Sequence, residues 1–132
     1  MNTLAISLGS NSKDRSIQMN DAIQYLNSIF EGVLSSTIYE TQALNGKDAP
    51  YLNAVAVANT HLSIVEATKL LKKWESQCGR TTESKLIGSI PIDLDIVVWN
   101  GEVVREKDFS CDFFTQGYLQ LVLSGNEDLF NS

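Results

Sequence analysis

The run Pro91-Ile92-Asp93-Leu94-Asp95-Ile96-Val97-Val98-Trp99 constrains this chain more than any other stretch. Side chains alternate faces along a β-strand, so Ile92, Leu94 and Ile96 point one way and Asp93 and Asp95 the other. The two carboxylates then lie roughly 6–7 Å apart along the strand. A strand this apolar belongs inside a sheet, where carboxylates are costly unless their charge is compensated. No Lys or Arg lies between Pro91 and Asn100, so no local partner is available. A divalent cation carrying a substrate phosphate would compensate both, and Mg²⁺, which takes carboxylate and phosphate oxygens as ligands, suits the pair. The alternative is an exposed face of an edge strand, which tolerates Asp without any metal.

The flanking segments alternate between strand and helix patterns. Thr3 to Leu8 reads as a first strand, ending in the turn Gly9-Ser10-Asn11-Ser12. Ile17, Ala22, Ile23, Leu26 and Phe30 recur at helical spacing from about Arg15 to Phe30. Val33 to Tyr39 reads as a second strand, Thr41 to Pro50 as a polar loop and Tyr51 to Asn59 as a third strand. In that third strand Leu52, Ala54, Ala56 and Ala58 share one face, and Tyr51, Asn53, Val55 and Val57 the other. Ser63 with Glu66 forms a capping box for a second helix, which carries Val65, Leu70, Leu71 and Trp74 and closes near Cys78-Gly79. Arg80 to Ser89 reads as a loop. The Asp strand follows, then Asn100-Gly101 as a type I′ hairpin turn and Glu102 to Arg105 as the returning strand. Phe113 to Leu123 has a mixed pattern compatible with a helix. This order is a repeated split β-α-β, which predicts one α+β domain over residues 1–132, a ferredoxin-like sandwich with helices covering a largely antiparallel sheet.

Composition removes several function classes. A net charge of −6 disfavours a general nucleic-acid surface. No apolar run approaches the length of a membrane span, and the N-terminus has no basic region followed by an apolar stretch, so neither anchor nor leader is expected. Cys78 and Cys111 are in no metal-binding spacing and fit two free thiols in a reducing cytoplasm. An acidic chain that binds a polyphosphate has to import metal or concentrate its few cations locally.

Several segments now converge: Leu8-Gly9-Ser10-Asn11, Tyr39-Glu40-Thr41 with Leu44, Tyr51-Leu52-Asn53-Ala54, Glu75 with Gly79-Arg80, and Asp93-Leu94-Asp95-Ile96. As an ordered set, from roughly residue 3 to residue 121, the chain resembles the 6-hydroxymethyl-7,8-dihydropterin pyrophosphokinase family of folate biosynthesis. The resemblance implies transfer of the terminal diphosphate of ATP to a reduced pterin by a cytoplasmic monomer. It also implies two Mg²⁺ ions held by Asp93 and Asp95, with Arg80 as a catalytic cation on phosphate. For the pterin it implies stacking between Tyr51 and Tyr118 (the family usually has Phe at the second position), Asn53 reading the ring edge, and Thr41 and Leu44 lining the loop. Taken singly, Tyr51 and Tyr118 also fit half-buried packing residues, and Asn53 an edge residue. On the nucleotide side the resemblance retains Glu75 and Arg80, with Lys85 as a substitute cation.

Departures from the family pattern concentrate on that nucleotide side. Family arginines fall on Thr82, Ile90 and, aligned on Gly117, Gln116. The family tryptophan falls on Ile87 and a histidine on Ser110. A charge-assisted phosphate contact contributes roughly 1.5–3 kcal/mol, so these losses weigh against efficient transfer. A second expectation therefore stands beside the enzyme: a pterin-binding module without efficient transfer. A third is an altered substrate with less phosphate, suited to Ile87 and Ile90. His61, the only histidine, is assigned no chemistry, and Lys107 is a remote candidate cation.

Overall fold

The computed structural model describes residues 1–124. Its elements are β1 (Asn2–Ser10), α1 (Arg15–Ile29), β2 (Glu31–Ser35), β3 (Tyr39–Thr41), β4 (Tyr51–Thr60), α2 (Ile64–Gln77), α3 (Thr82–Ile87), β5 (Asp93–Trp99), β6 (Glu102–Val103), α4 (Glu106–Phe109) and α5 (Asp112–Leu123). The six strands form one sheet in the order β2-β4-β1-β5-β6, with β3 also on β4, and every pairing is antiparallel. This is the α+β sandwich expected from the β-α-β repeats.

The alternation of β1, β4 and β5 divides the sheet into two unlike faces. Leu4, Ile6, Leu8, Ala54, Ala56, Ala58, Leu94 and Ile96 bury one face beneath α1 and α2 through Met19, Ala22, Leu26, Ala67 and Leu71. The other face is apolar only at one end, where Ala5, Val55, Val57, Val97 and Val98 lie under Phe114 and Leu121 of α5. Between Ile96 and Val98 the register slips by one residue against Ala5–Ile6, so Val97 and Val98 both serve this second core.

Several expectations shift in detail. The strand expected over Val33–Tyr39 is two strands. The break falls at Ser36, whose hydroxyl accepts Val55 N–H at 2.9 Å in place of a ladder carbonyl. The expected Arg80–Ser89 loop contains α3, which opens with Thr81 N–H donating to Ser84 Oγ at 3.0 Å and closes on Gly88 at φ 73°. The hairpin turn is as expected, with Asn100 and Gly101 at φ 50° and 79°. The returning strand is only Glu102–Val103, and Arg105 begins α4 instead. Two positions on the expected apolar stripes face out, Ile17 in α1 and Val65 in α2. Met19, Ala67 and the carboxylate-bearing Glu75 are buried in their place.

Candidate active site

Sheet register assembles the site. Ser7 of β1 sits between Val55 of β4 and Asp95 of β5, and Gly9 sits between Asn53 and Asp93. All of these side chains share the face that α5 covers only at the far end, so this half of the sheet stays open. Gly9 keeps the floor low: a Cβ there would come within 3.1 Å of Asn53 Nδ2 and 3.5 Å of the Tyr51 ring. β6 pairs only with Val98 and Trp99, so among the described residues no strand continues the sheet beside the two aspartates, where Glu75 and Lys72 of α2 take the backbone N–H and C=O of Leu94 instead. Above them opens a cleft of about 320 Å³, lined by Asp93, Asp95, Tyr51, Asn53, Thr41 and Phe113 among others.

The loop 41–48 lines this cleft, and Asn11 fastens the end of that loop to the segment leading into β5. Its side-chain amide donates to Ala49 O at 3.2 Å and Gly88 O at 2.8 Å, and its carbonyl accepts Ile90 N–H at 2.6 Å. Within the cleft Thr41 Oγ1 donates to Asn53 Oδ1, which fixes the amide and leaves Nδ2 as the donor. Burial, reinforced by nearby Asp93, raises the Tyr51 hydroxyl pKa, so the ring stays neutral.

No partner comes from the strand itself, as its sequence indicates, but cations from other elements compensate both carboxylates. Arg80 donates to Asp93 Oδ1 at 2.6 Å and to Ile92 O at 3.2 Å. Lys72 Nζ donates to Asp95 Oδ1 at 3.0 Å. Arg105 lies 3.9 Å from the same oxygen and pairs with Asp108. Beneath them the buried Glu75 accepts Leu94 N–H at 2.7 Å and Lys72 at 3.0 Å, and forms an ion pair with Arg80 at 3.3 Å. Even so, burial and then the adjacent Asp93 charge hold the Asp95 carboxyl above its ordinary pKa. The contacts of both aspartates end on Oδ1, so Oδ2 of each remains a hard-oxygen donor beside the cleft. That donor set fits a divalent cation completed by phosphate oxygens. Among the described residues no three His, Cys, Asp or Glu converge as a self-sufficient metal site.

Asp93, Asp95, Thr41, Leu44, Tyr51 and Asn53 thus share one cleft, and Arg80 reaches its edge through Asp93. Glu75 is a buried brace for Lys72 and Arg80 rather than a cleft residue. Lys85, on the exposed side of α3, is not among the lining residues. Tyr118 is a correction: it packs in the second core against Phe109 and Phe114, with ring centroids at 5.8 and 5.1 Å. The aromatic side chain that lines the cleft together with Tyr51 is Phe113, five residues before Tyr118. Sequence reasoning also missed Lys72 and Arg105. Lys72 stands on an amphipathic helix and Arg105 in an exposed polar run, and in neither place does the sequence separate a charge-paired cation from a solvated one.

Comparisons with known proteins identify the family. The family model for 7,8-dihydro-6-hydroxymethylpterin-pyrophosphokinase matches residues 5–122. The chain belongs to this family. A relative named 2-amino-4-hydroxy-6-hydroxymethyldihydropteridine pyrophosphokinase from Aquifex aeolicus is 36% identical over 108 residues, 81% of this chain and 67% of the relative. Its namesake in Bacillus subtilis is 35% identical over 111 residues, 81% of this chain and 66% of the relative. A folate synthesis bifunctional protein of Chlamydia trachomatis is 32% identical over 117 residues, which make up 83% of this chain and 26% of that protein. The chain thus matches about two thirds of the length of the two pyrophosphokinases.

Moving the family's second aromatic position from Tyr118 to Phe113 moves the positions assigned to Ser110 and Gln116 back by the same five residues, to Arg105 and Cys111. Ser110 and Gln116 are exposed on α4 and α5, whereas Arg105 lines the cleft and lies near Asp95. Of the other departures, Ile90 is a buried packing residue, while Thr82 and Ile87 are exposed on α3.

Proposed function

We propose that this chain transfers the terminal diphosphate of ATP to the hydroxymethyl group of 6-hydroxymethyl-7,8-dihydropterin, in a Mg²⁺-dependent reaction that releases AMP. The observation that carries this reading is the convergence, in one cleft, of two cleft-facing carboxylates with a complete planar-ring pocket. Tyr51 and Phe113 supply aromatic faces for a flat heterocycle, and Asn53 Nδ2, oriented by Thr41, supplies an edge donor. Asp93 and Asp95 would hold the two Mg²⁺ ions, which supply charge neutralisation of the polyphosphate and orientation of the transferred group. In the transfer the substrate hydroxyl oxygen bonds to the β-phosphorus, the bond from that phosphorus to the α,β-bridging oxygen breaks, and the hydroxyl proton leaves to solvent. Arg80 and Arg105 stand at the carboxylates with guanidinium groups suited to phosphate. Two unpaired cysteines fit a reducing cytoplasm.

A second reading, a pterin-binding module, is favoured by Thr82, Ile87 and Ile90 at positions where the family carries nucleotide-handling groups. Calorimetry with the pterin and with a non-hydrolysable ATP analogue separates the two. The enzyme binds both, whereas binding of pterin without nucleotide supports the module instead.

A further inference from the structure

Lys72 is the unexpected member of the site. It projects from α2 and spends its ammonium on three acceptors: Glu75 Oε2 at 3.0 Å, Leu94 O at 2.9 Å and Asp95 Oδ1 at 3.0 Å. An ammonium has three donors, so none is left over. The side chain is still 45% exposed, so its position comes from these partners and not from enclosure. Its ammonium therefore sits, as a positive charge, on one of the carboxylates that face the cleft. Around it the site holds three cations, Lys72, Arg80 and Arg105, against Glu75, Asp93, Asp95 and Asp108, so its charge is nearly balanced before any ligand arrives.

We propose that Lys72 is a tethered competitor for the divalent cation: it occupies Asp95 Oδ1, suppresses metal binding to the protein alone, and makes the site admit metal chiefly together with a polyphosphate. The proposal rests on the reading of Asp93 and Asp95 as metal ligands. The physical reason is Coulombic. A fixed positive charge about 3 Å from a ligand oxygen opposes a doubly charged ion arriving at the same carboxylate. A phosphate chain supplies negative charge that offsets this repulsion for metal and ammonium alike. Lys72 is thus a positioning and specificity residue for the proposed reaction. It lets the enzyme discriminate metal-loaded nucleotide from free metal.

The test is Mn²⁺ alone, titrated calorimetrically and by electron paramagnetic resonance into the full chain without nucleotide. The variants are Lys72→Met, Lys72→Gln, Lys72→Arg and Asp95→Asn. Met and Gln are strong helix formers, and Gln retains a donor for Leu94 O, so at least one neutral variant keeps the fold. The proposal expects Lys72→Met and Lys72→Gln to bind Mn²⁺ about tenfold more tightly than wild type, and Lys72→Arg to stay near it. It expects Asp95→Asn to bind at least about tenfold more weakly. Neutral variants that bind no more tightly than wild type overturn the proposal. If Asp95→Asn still binds less than wild type in that case, the metal reading survives without it. If Asp95→Asn binds like wild type, the metal reading fails and the role of Lys72 fails with it.

Discussion

At Asp95 two requirements oppose each other. The side chain is mostly buried and shares its face with Asp93, so its folded pKa lies above the ordinary carboxylate value. The folded state then binds that proton more tightly than the unfolded chain. Stability gained by protonation appears as pH falls through the window between the two pKa values and is lost as pH rises through it. At pH 7 the ionised group costs stability, which is the state needed to hold metal. Asp95→Asn is therefore expected to melt at or above the wild-type temperature at pH 7 while transfer falls by about 10²–10³-fold or more. A melting temperature several degrees lower, with turnover retained, would contradict both halves. The aromatic positions offer a second test at this scale. Phe113→Ala is expected to weaken pterin binding by about tenfold to a hundredfold and leave the fold nearly intact. Tyr118→Ala is expected to cost about 2 kcal/mol of stability, read by denaturant melts, and to leave the pterin contacts in place. The reverse pattern by calorimetry would return the stacking role to Tyr118.

Among the elements, α5 decides how much of the sheet stays open. Gly117 lies in the middle of that helix because the sheet approaches it closely. A Cβ there would fall 2.8 Å from Tyr39 Oη, 2.8 Å from Val55 Cγ2 and 2.9 Å from Ser36 Oγ. The Tyr39 hydroxyl uses the gap, accepting Gly117 N–H at 3.0 Å and donating to Phe113 O at 2.6 Å, and burial pushes its pKa up to about 12. Tyr39 thereby anchors the segment that carries Phe113 into the cleft. Gly117→Ala is expected to cost about 1–3 kcal/mol by overpacking and to weaken pterin binding, since α5 has to lift. An unchanged melt would remove this account of the glycine. At α2, Ser63 Oγ accepts Glu66 N–H and the Glu66 carboxylate accepts Ser63 N–H, so Ser63→Ala is expected to cost about 1 kcal/mol. These elements also show what sequence can carry. The period-two pattern of Ile92 to Ile96 and the capping box at Ser63 are local, and both appear where they were read. α3 is too short to show a period. The Ser36 break depends on a partner nineteen positions away, and Gly117 looks like an ordinary helix defect until Tyr39 is placed against it.

Across the described residues the molecule is a sandwich with one sheet face covered by α1 and α2 and the other covered by α5 at one end. The uncovered half is where polar residues replace the apolar alternation: Ser7, Gly9, Asn53, Asp93 and Asp95 continue the same faces as Ala5, Val55, Val57 and Val97. That switch was legible as two aspartates on an apolar strand. The partners of those aspartates were not, because Lys72, Arg80 and Arg105 come from three other segments, and only the sheet and α2 bring them together. A chain with a net charge of −6 in this way gathers cations at one cleft. The measurement that bears most directly on the account is a product assay at high enzyme concentration with ATP, Mg²⁺ and 6-hydroxymethyl-7,8-dihydropterin, with Asp95→Asn alongside. The account predicts AMP and the pterin diphosphate in equal amounts from the wild-type chain, formed at least about a hundredfold more slowly by the variant. Absence of AMP from the wild-type chain, or equal yields from both proteins, would contradict it.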